Sequence, residues 1–226
     1  MVDESFLETT RAAYDTVAAD YAELLRDELA VKPWDRAVLA TFAELVRADG
    51  AGAVADLGCG PGRITGHLHD LGVDAFGIDL SPGMIAVARA SYPGLRFEEG
   101  TITDLAIESA SLAGVVAWYS IIHTPPELLP VVFAEFARVL APGGRLLLAF
   151  QVGDERRHLD QGYGHSISLD AWRLSPSLVA GLLADVGLSV DARLERQPDA
   201  REKVPQAFIV ARSPALADAP PGRTSL

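Results

Sequence analysis

Three glycines within five residues follow an acid in the run Asp56-Leu57-Gly58-Cys59-Gly60-Pro61-Gly62. Glycines spaced this way let the backbone approach a ligand that side chains would strike. Alone, such a turn is a weak signal. Dinucleotide sites spread it as G-x-G-x-x-G so that a pyrophosphate rests on the next helix N-terminus. Here the third glycine comes one residue early, and a carboxylate at Asp56 suits a cationic amino group while repelling a pyrophosphate. Asp79 follows the turn by about 20 residues, the spacing at which an acid ending a second strand takes both hydroxyls of a ribose. The plainer reading of Asp79 is an aspartate that merely precedes a helix. His123 and His165 are the residue type that moves protons near neutral pH.

The elements that must position these groups follow from periodicity. From Glu4 to about Gly50, Tyr14, Val17, Ala18 and Tyr21, then Val38, Leu39, Phe42, Leu45 and Val46, recur at helical spacing and predict two or three helices. Ala53 to Leu57 reads as the first strand, ending in the glycine turn, with Pro61 in the first turn of a helix running to Leu71. A second strand spans Val73 to Asp79. Ser81-Pro82 then caps a helix to about Ser91. Further strands are expected at Leu95 to Glu98, Val115 to Ser120 and Arg145 to Phe150. A helix from Pro126 to Leu140 and a Pro142-Gly143-Gly144 turn separate the last two. Alternation of strand and helix predicts a doubly wound α/β domain with a mainly parallel sheet. After it come a helix from Ser175-Pro176 to Val186 and an antiparallel hairpin, Ser189 to Glu195 with Gln206 to Arg212.

Composition bounds the function. The chain has 226 residues, 49% of them hydrophobic, enough for one α/β domain. A net charge of −12, with no basic stripe, argues against a nucleic-acid partner. One cysteine leaves no internal disulfide framework and fits a reducing, cytoplasmic setting. The first residues, Met1-Val2-Asp3-Glu4, lack the order of a signal peptide, and no apolar run approaches ~18 residues, so no membrane partner is expected. No His, Cys and carboxylate grouping has metal-ligand spacing, and no G-x-S-x-G elbow is present.

Beyond the turn, four segments in order carry a resemblance. VADLGCGPGRIT looks like the first motif of class I S-adenosylmethionine (SAM) dependent methyltransferases, small-molecule type, similar to the UbiE or type 11 group. Phe76-Gly77-Ile78-Asp79-Leu80-Ser81 matches the second motif. Glu99 to Leu105 is similar to the family's G-D-A-x-D-L segment. Trp118 to Glu127 and Arg138 to Gly144 resemble its post-fourth-strand segment and its R-x-L-x-P-G-G turn. The resemblance covers roughly residues 50 to 150. It implies a Rossmann-like, seven-stranded sheet with an N-terminal helical lid over residues 1–50, and the polar stretch without a clear period beyond Phe150 reads as a flap or substrate loop over 151–174. The single domain would span 1–213, and 214–226 would be a disordered tail.

The resemblance also implies roles. Asp56 and the backbone of Gly58, Cys59, Gly60 and Gly62 would hold the methionine part of SAM, Asp79 the ribose, and Leu80 and Met84 would flank adenine. Thr101 stands where the family places an acid on the adenine amino group, while the Ile102 amide can still serve. The stretch from Ala13-Tyr14-Asp15 to Asp20-Tyr21 is similar to members whose tyrosine closes over SAM, with Tyr14 favoured over Tyr21. Trp118 and Tyr119 would face the cofactor, the acceptor or the core. His123 is a candidate base at the sheet edge where open α/β sheets bind ligands; otherwise it packs near adenine or caps the next helix. His165 is the second candidate, in a loop whose Arg156, Arg157, His158, Tyr163, Trp172 and Arg173 either hold an acidic acceptor or form a solvated face paired with Asp154, Glu155 and Asp160. The expected partner is a small-molecule acceptor taking a methyl on oxygen or nitrogen, and the chain a monomer or homodimer. The rivals are a SAM-binding domain without transfer activity and, less favoured, an NAD-dependent oxidoreductase.

Overall fold

A computed structural model describes residues 5–50 and 52–215. Strands β1 (Ala53–Leu57), β2 (Asp74–Asp79), β3 (Phe97–Glu99), β4 (Leu112–Trp118) and β5 (Leu140–Gln151) pair in parallel. Antiparallel β9 (Gln206–Arg212) and β8 (Ser189–Arg196) complete a seven-stranded sheet ordered β3-β2-β1-β4-β5-β9-β8. From β1 the chain winds outward to β2 and β3, then returns to β4 on the other side. That reversal opens a crevice at the C-terminal ends of β1 and β4.

Strand alternation decides what lies on each face. Ala55, Leu57, Val115, Ala117, Leu146, Leu148 and Phe150 point to one side and pack with α5 (Leu129–Val139) and α6 (Pro176–Asp185). Val54, Val116, Trp118, Leu147 and Ala149 point to the other, against α2 (Pro33–Ala48) and α3 (Arg63–Asp70). Both faces are covered, so β4 reads as an unbroken apolar run. Full burial of a side chain such as Phe42 or Phe133 contributes about 1.5–3 kcal/mol. The remaining helix of the sheet layer, α4 (Pro82–Ser91), begins as the sequence requires. Ser81 Oγ accepts the Met84 amide at 3.0 Å and Pro82 occupies the first turn.

Several boundaries differ from expectation. Pro61 precedes α3 rather than entering it, because Gly62, at φ +82°, is the N-cap. The third strand is Phe97–Glu99. The fourth starts earlier and stops at Trp118, where Tyr119 turns to φ +57°. The fifth takes in Pro142-Gly143-Gly144 as an irregular stretch, its pairing jumping from Leu140 to Arg145. A 3-10 turn at Pro126–Leu128 precedes α5.

Only part of the N-terminal region is a lid. Helix α1 (Ser5–Leu25) lies over the crevice, whereas α2 belongs to the core under the sheet. The expected 151–174 loop is largely a β-hairpin, β6 (Arg156–Gly162) with β7 (His165–Trp172), closed by Tyr163-Gly164 with both φ positive, at 54° and 84°. Its charged first strand offers one apolar residue, Leu159, and that hides the period. Ile167 packs on α1 beside Val17, Ala18 and Met84. Of the expected tail, 216–226 lies outside the described residues, while Pro214 O accepts the Gly143 amide. Among the described residues, no helix is long and apolar enough to cross a membrane.

Candidate active site

The glycine turn caps β1. The amides of Gly58 and Cys59 both donate to Ile78 O, at 2.7 and 3.0 Å, which ties the turn to β2. Gly58 is at φ +74°, and a Cβ there would come within 2.3 Å of Ser120 Cβ. Gly60, at φ +53°, is different: its nearest neighbours would be Tyr21 and Met84 at 3.9 and 4.0 Å, so a side chain would project into open space. That space is a cavity lined by Gly58, Gly60, Asp79, Met84 and Tyr21, and it opens to solvent.

Asp79 ends β2 on the same cavity. Its Oδ2 accepts the Gly60 amide and its Oδ1 the Ser81 amide, each at 2.8 Å. A carboxylate has about four lone-pair positions, so two remain for a pair of hydroxyls. Burial raises its pKa and the two amides oppose the shift. Leu80, Met84, Thr101 and Ile102 continue the wall. The Thr101 hydroxyl is already engaged, sharing a hydrogen bond with Thr103 Oγ1 at 2.8 Å and accepting the Thr103 amide at 3.2 Å.

Opposite, α1 forms the roof with Phe6, Leu7, Thr10, Arg11, Tyr14 and Tyr21. It is pinned to α4, for Asp15 Oδ1 accepts from Ser81 Oγ at 2.6 Å and from the Gly83 amide at 2.9 Å, and Arg11 Nε donates to Leu80 O at 3.2 Å. Tyr14 Oη lies 2.7 Å from His123 Nε2, and His123 Nδ1 lies 2.8 Å from Asp170 O on β7. A carbonyl oxygen only accepts, so Nδ1 carries the proton and Nε2 presents a lone pair to the Tyr14 hydroxyl. Burial lowers the His123 pKa against the raising effect of that carbonyl, keeping the ring neutral. Trp118, Tyr119, Ser120 and Thr124 close the cavity beside His123. The Tyr119 ring is carried there by its left-handed backbone.

Gly58, Gly60, Asp79, Leu80, Met84, Thr101, Ile102, Trp118, Tyr119, Tyr14, Tyr21 and His123 are thus brought together as expected. Four expected site residues are not. Asp56 shares the sheet face of Val54, so its buried carboxylate points toward α3 and accepts from Thr65 Oγ1 at 2.7 Å. Burial pushes its pKa up to about 7, with the Thr65 hydrogen bond opposing. Cys59 packs among Ile85, Ala88 and Phe97, and burial raises its thiol pKa. A Cβ on Gly62 would meet the Phe97 ring at 2.7 Å, so this glycine serves packing. His165 lies on the exposed hairpin end, its Nε2 2.7 Å from Asp20 Oδ2. Neighbouring charges are also self-paired: Arg156 with Asp170, His158 with Asp160 and Asp170, and Arg173 with Glu155.

Missed were Phe6, Leu7, Thr10 and Arg11, although Leu7, Thr10, Arg11, Tyr14, Ala18 and Tyr21 follow the helical i, i+3, i+4 rule that would have found them. Ser120 carried no signal of its own. Its Oγ and the Trp118 Nε1 are buried without a hydrogen-bond partner, as expected of a wall that meets a polar ligand. These orphaned groups, the Gly60 opening and the Asp79 carboxylate fit an adenosine-bearing amino acid.

The comparisons agree with that class of ligand. Residues 54–144 match the family described as a methyltransferase domain. An uncharacterized methyltransferase of Mycobacterium tuberculosis is 35% identical over 120 residues, covering 52% of this chain and 47% of that protein. A trans-aconitate 2-methyltransferase of Methylobacterium nodulans is 41% identical over 106 residues, 45% of this chain and 38% of that protein. The chain therefore spans less than half the length of these curated relatives. Among solved structures, the Burkholderia thailandensis 1,6-didemethyltoxoflavin-N1-methyltransferase, with bound 1,6-didemethyltoxoflavin and S-adenosylhomocysteine, has the same fold. Its TM-score is 0.69 at 17% identity, over 95% of this chain and 91% of that one. Fold, site and family match define residues 54–144 as a class I SAM-dependent methyltransferase domain, and SAM is its cofactor.

Proposed function

We propose that the chain transfers the methyl group of SAM to an oxygen or nitrogen of a small, mainly apolar acceptor. The observation that carries this reading is one cavity lined both by Gly58, Gly60 and Asp79 and by the Tyr14–His123 pair. When bound, SAM supplies an electrophilic methyl on sulfur and leaves as S-adenosylhomocysteine. Asp79 would hold the ribose, Gly60 would give the amino-acid part room, and Leu80 and Met84 would enclose adenine. The aromatic roof excludes water and orients the acceptor.

Tyr14 and His123 handle the acceptor's proton. The acceptor's O–H or N–H passes its proton to Tyr14 Oη as that hydroxyl gives its own to His123 Nε2, while the acceptor lone pair takes the methyl. A buried histidine with a lowered pKa is a weak base, which suits acidic acceptors such as phenols, enols or ring N–H groups. The net charge of −12 works against nucleic-acid acceptors, and the named relatives, by their names, act on small molecules.

The test combines calorimetry with S-adenosylhomocysteine and a transfer assay from methyl-labelled SAM to pooled phenols, carboxylic acids and nitrogen heterocycles. His123→Ala should lower turnover by about 10²–10⁴-fold while S-adenosylhomocysteine affinity stays within about threefold. The base works neutral, so wild-type turnover should fall with acid only below the ordinary histidine value of about 6.5, and that limb should vanish in the variant. Unchanged turnover would remove His123 from the reaction, and no binding of S-adenosylhomocysteine would remove the cofactor reading.

A further inference from the structure

Strand β7 has a single strand neighbour, β6, so alternate backbone groups point off its free edge. One of them, the Asp170 carbonyl, accepts from His123 Nδ1 at 2.8 Å. This bond leaves the Nε2 lone pair facing the Tyr14 hydroxyl. Without it the imidazole is free to take its other tautomer, in which Nε2 carries the proton and accepts nothing. The base therefore depends on where one carbonyl of the hairpin stands.

The side chain of the same residue fixes that carbonyl. Asp170 stands opposite His158 in the β6–β7 register, and both of its carboxylate oxygens are engaged from β6: Oδ1 accepts from His158 Nδ1 at 2.9 Å and Oδ2 from Arg156 Nη2 at 2.6 Å. Arg156 foremost, with His158, lowers the Asp170 pKa, so the carboxylate is ionised at neutral pH and both bonds are charge-assisted. Exposed pairs contribute little singly, and His158 also reaches Asp160 at 3.2 Å. Here, however, two of them converge on the residue whose backbone touches the histidine. A two-stranded ribbon is marginal in water, and the β6–β7 pairing becomes irregular between Leu159 and Gln161, directly beyond this point. The bonds to Asp170 hold the ribbon where its register would otherwise slip.

We propose that Asp170 is a positioning residue for methyl transfer: its carboxylate, gripped from β6 by Arg156 and His158, holds its carbonyl against His123 and so keeps the His123 lone pair on Tyr14. The proposal rests on the reading of His123 as the base. It gives the charged strand β6 a part in the reaction without any contact with the acceptor.

The experiment compares the wild type, Asp170→Ala and the double variant Arg156→Gln/His158→Gln, each as the full chain. Nitrogen NMR of isotope-labelled histidine rings reads the tautomer of His123, with His123→Ala identifying its signals, and needs no acceptor. The wild-type ring should be protonated on Nδ1. In both altered chains the tautomer ratio should move by about fivefold toward the Nε2-protonated ring, the effect of weakening one hydrogen bond. Turnover should fall by about tenfold, with acceptor KM and S-adenosylhomocysteine affinity within about twofold. His123 is faced by Tyr14 from α1 and by the Asp170 carbonyl from β7, and the carbonyl raises its pKa. Loosening that carbonyl should therefore move the acid limb of the pH–rate profile about half a unit lower. A role in stability alone would lower the melting temperature and leave tautomer, limb and turnover at their wild-type values, which overturns the proposal. If Asp170→Ala does not fold, the double variant, altered only at exposed side chains, decides by the same readings, and where no acceptor has been found the tautomer ratio alone decides. Turnover lost in His123→Ala but unmoved in the other two chains overturns this proposal only; turnover unmoved in His123→Ala overturns the base reading beneath it.

Discussion

The floor and the roof of the cavity are built on different principles. The floor is made by the ends of β1, β2 and β4, where Gly58, Gly60, Asp79 and Ser120 sit within three residues of a strand end. Its own hydrogen bonds involve backbone, as in Gly58 N to Ile78 O and Gly60 N to Asp79. The roof is assembled from α1 and the β6–β7 hairpin. Its contacts are made by side chains reaching distant parts of the chain, as in Tyr14 with His123, Tyr21 edge-on to Tyr163 at 4.9 Å, His165 with Asp20, and Asp15 with the Gly83 amide. Helix α1 buries only Ala13, Val17 and Ala18. The floor is therefore part of the sheet, while α1 in the roof rests on α4 and β7 in a small cluster of its own, Val17, Ala18 and Met84, outside the two large core clusters.

The sharpest way to break the floor is Gly60→Val. The substitution fills the opening with a branched side chain at φ +53°, so S-adenosylhomocysteine affinity should fall by about 100-fold or more, read by calorimetry. No atom lies closer than 3.9 Å to the new Cβ, so the fold should survive; retained affinity would mean that the cofactor does not pass Gly60.

A second test separates Asp56 from the floor. Its folded pKa of about 7 lies above the unfolded value near 3.8, so the folded chain holds a proton that the unfolded chain has released. That contribution is complete below about pH 4 and is lost as pH rises through about 7. Asp56→Asn should accordingly raise the melting temperature at pH 8 by a few degrees, on the order of 1–3 kcal/mol, with the gain shrinking toward pH 4. S-adenosylhomocysteine affinity should stay within about twofold, and a tenfold loss would return Asp56 to the ligand.

The smallest effect is expected on the roof. His165→Ala removes a pair exposed at both partners and should cost under about 1 kcal/mol in thermal denaturation, with turnover within about twofold. A tenfold fall in turnover would show that the roof supplies a second base.

These two regions also differ in how far the sequence revealed them. The floor was readable because its determinants are local. Glycines with positive φ, an acid ending a strand and a Ser-Pro cap each act within a few residues, and they recur in a fixed order along one polypeptide. The roof was readable only in fragments. The hairpin's period was masked by charge in β6, and its tip uses Tyr163 at a φ that sequence rules reserve for glycine or asparagine. Even within the floor, type and spacing misjudged direction. Asp56 and Asp79 both lie at strand ends, yet alternation sends one carboxylate into the α3 layer and brings the other to the cavity.

What the sequence determined by itself is the order of the strands' chemistry: a glycine turn, an acid ending the second strand and a histidine past the fourth, on a doubly wound sheet. Which of two histidines meets the cavity was decided by packing, because His123 is enclosed by α1 and β7 while His165 is spent on Asp20 at the surface.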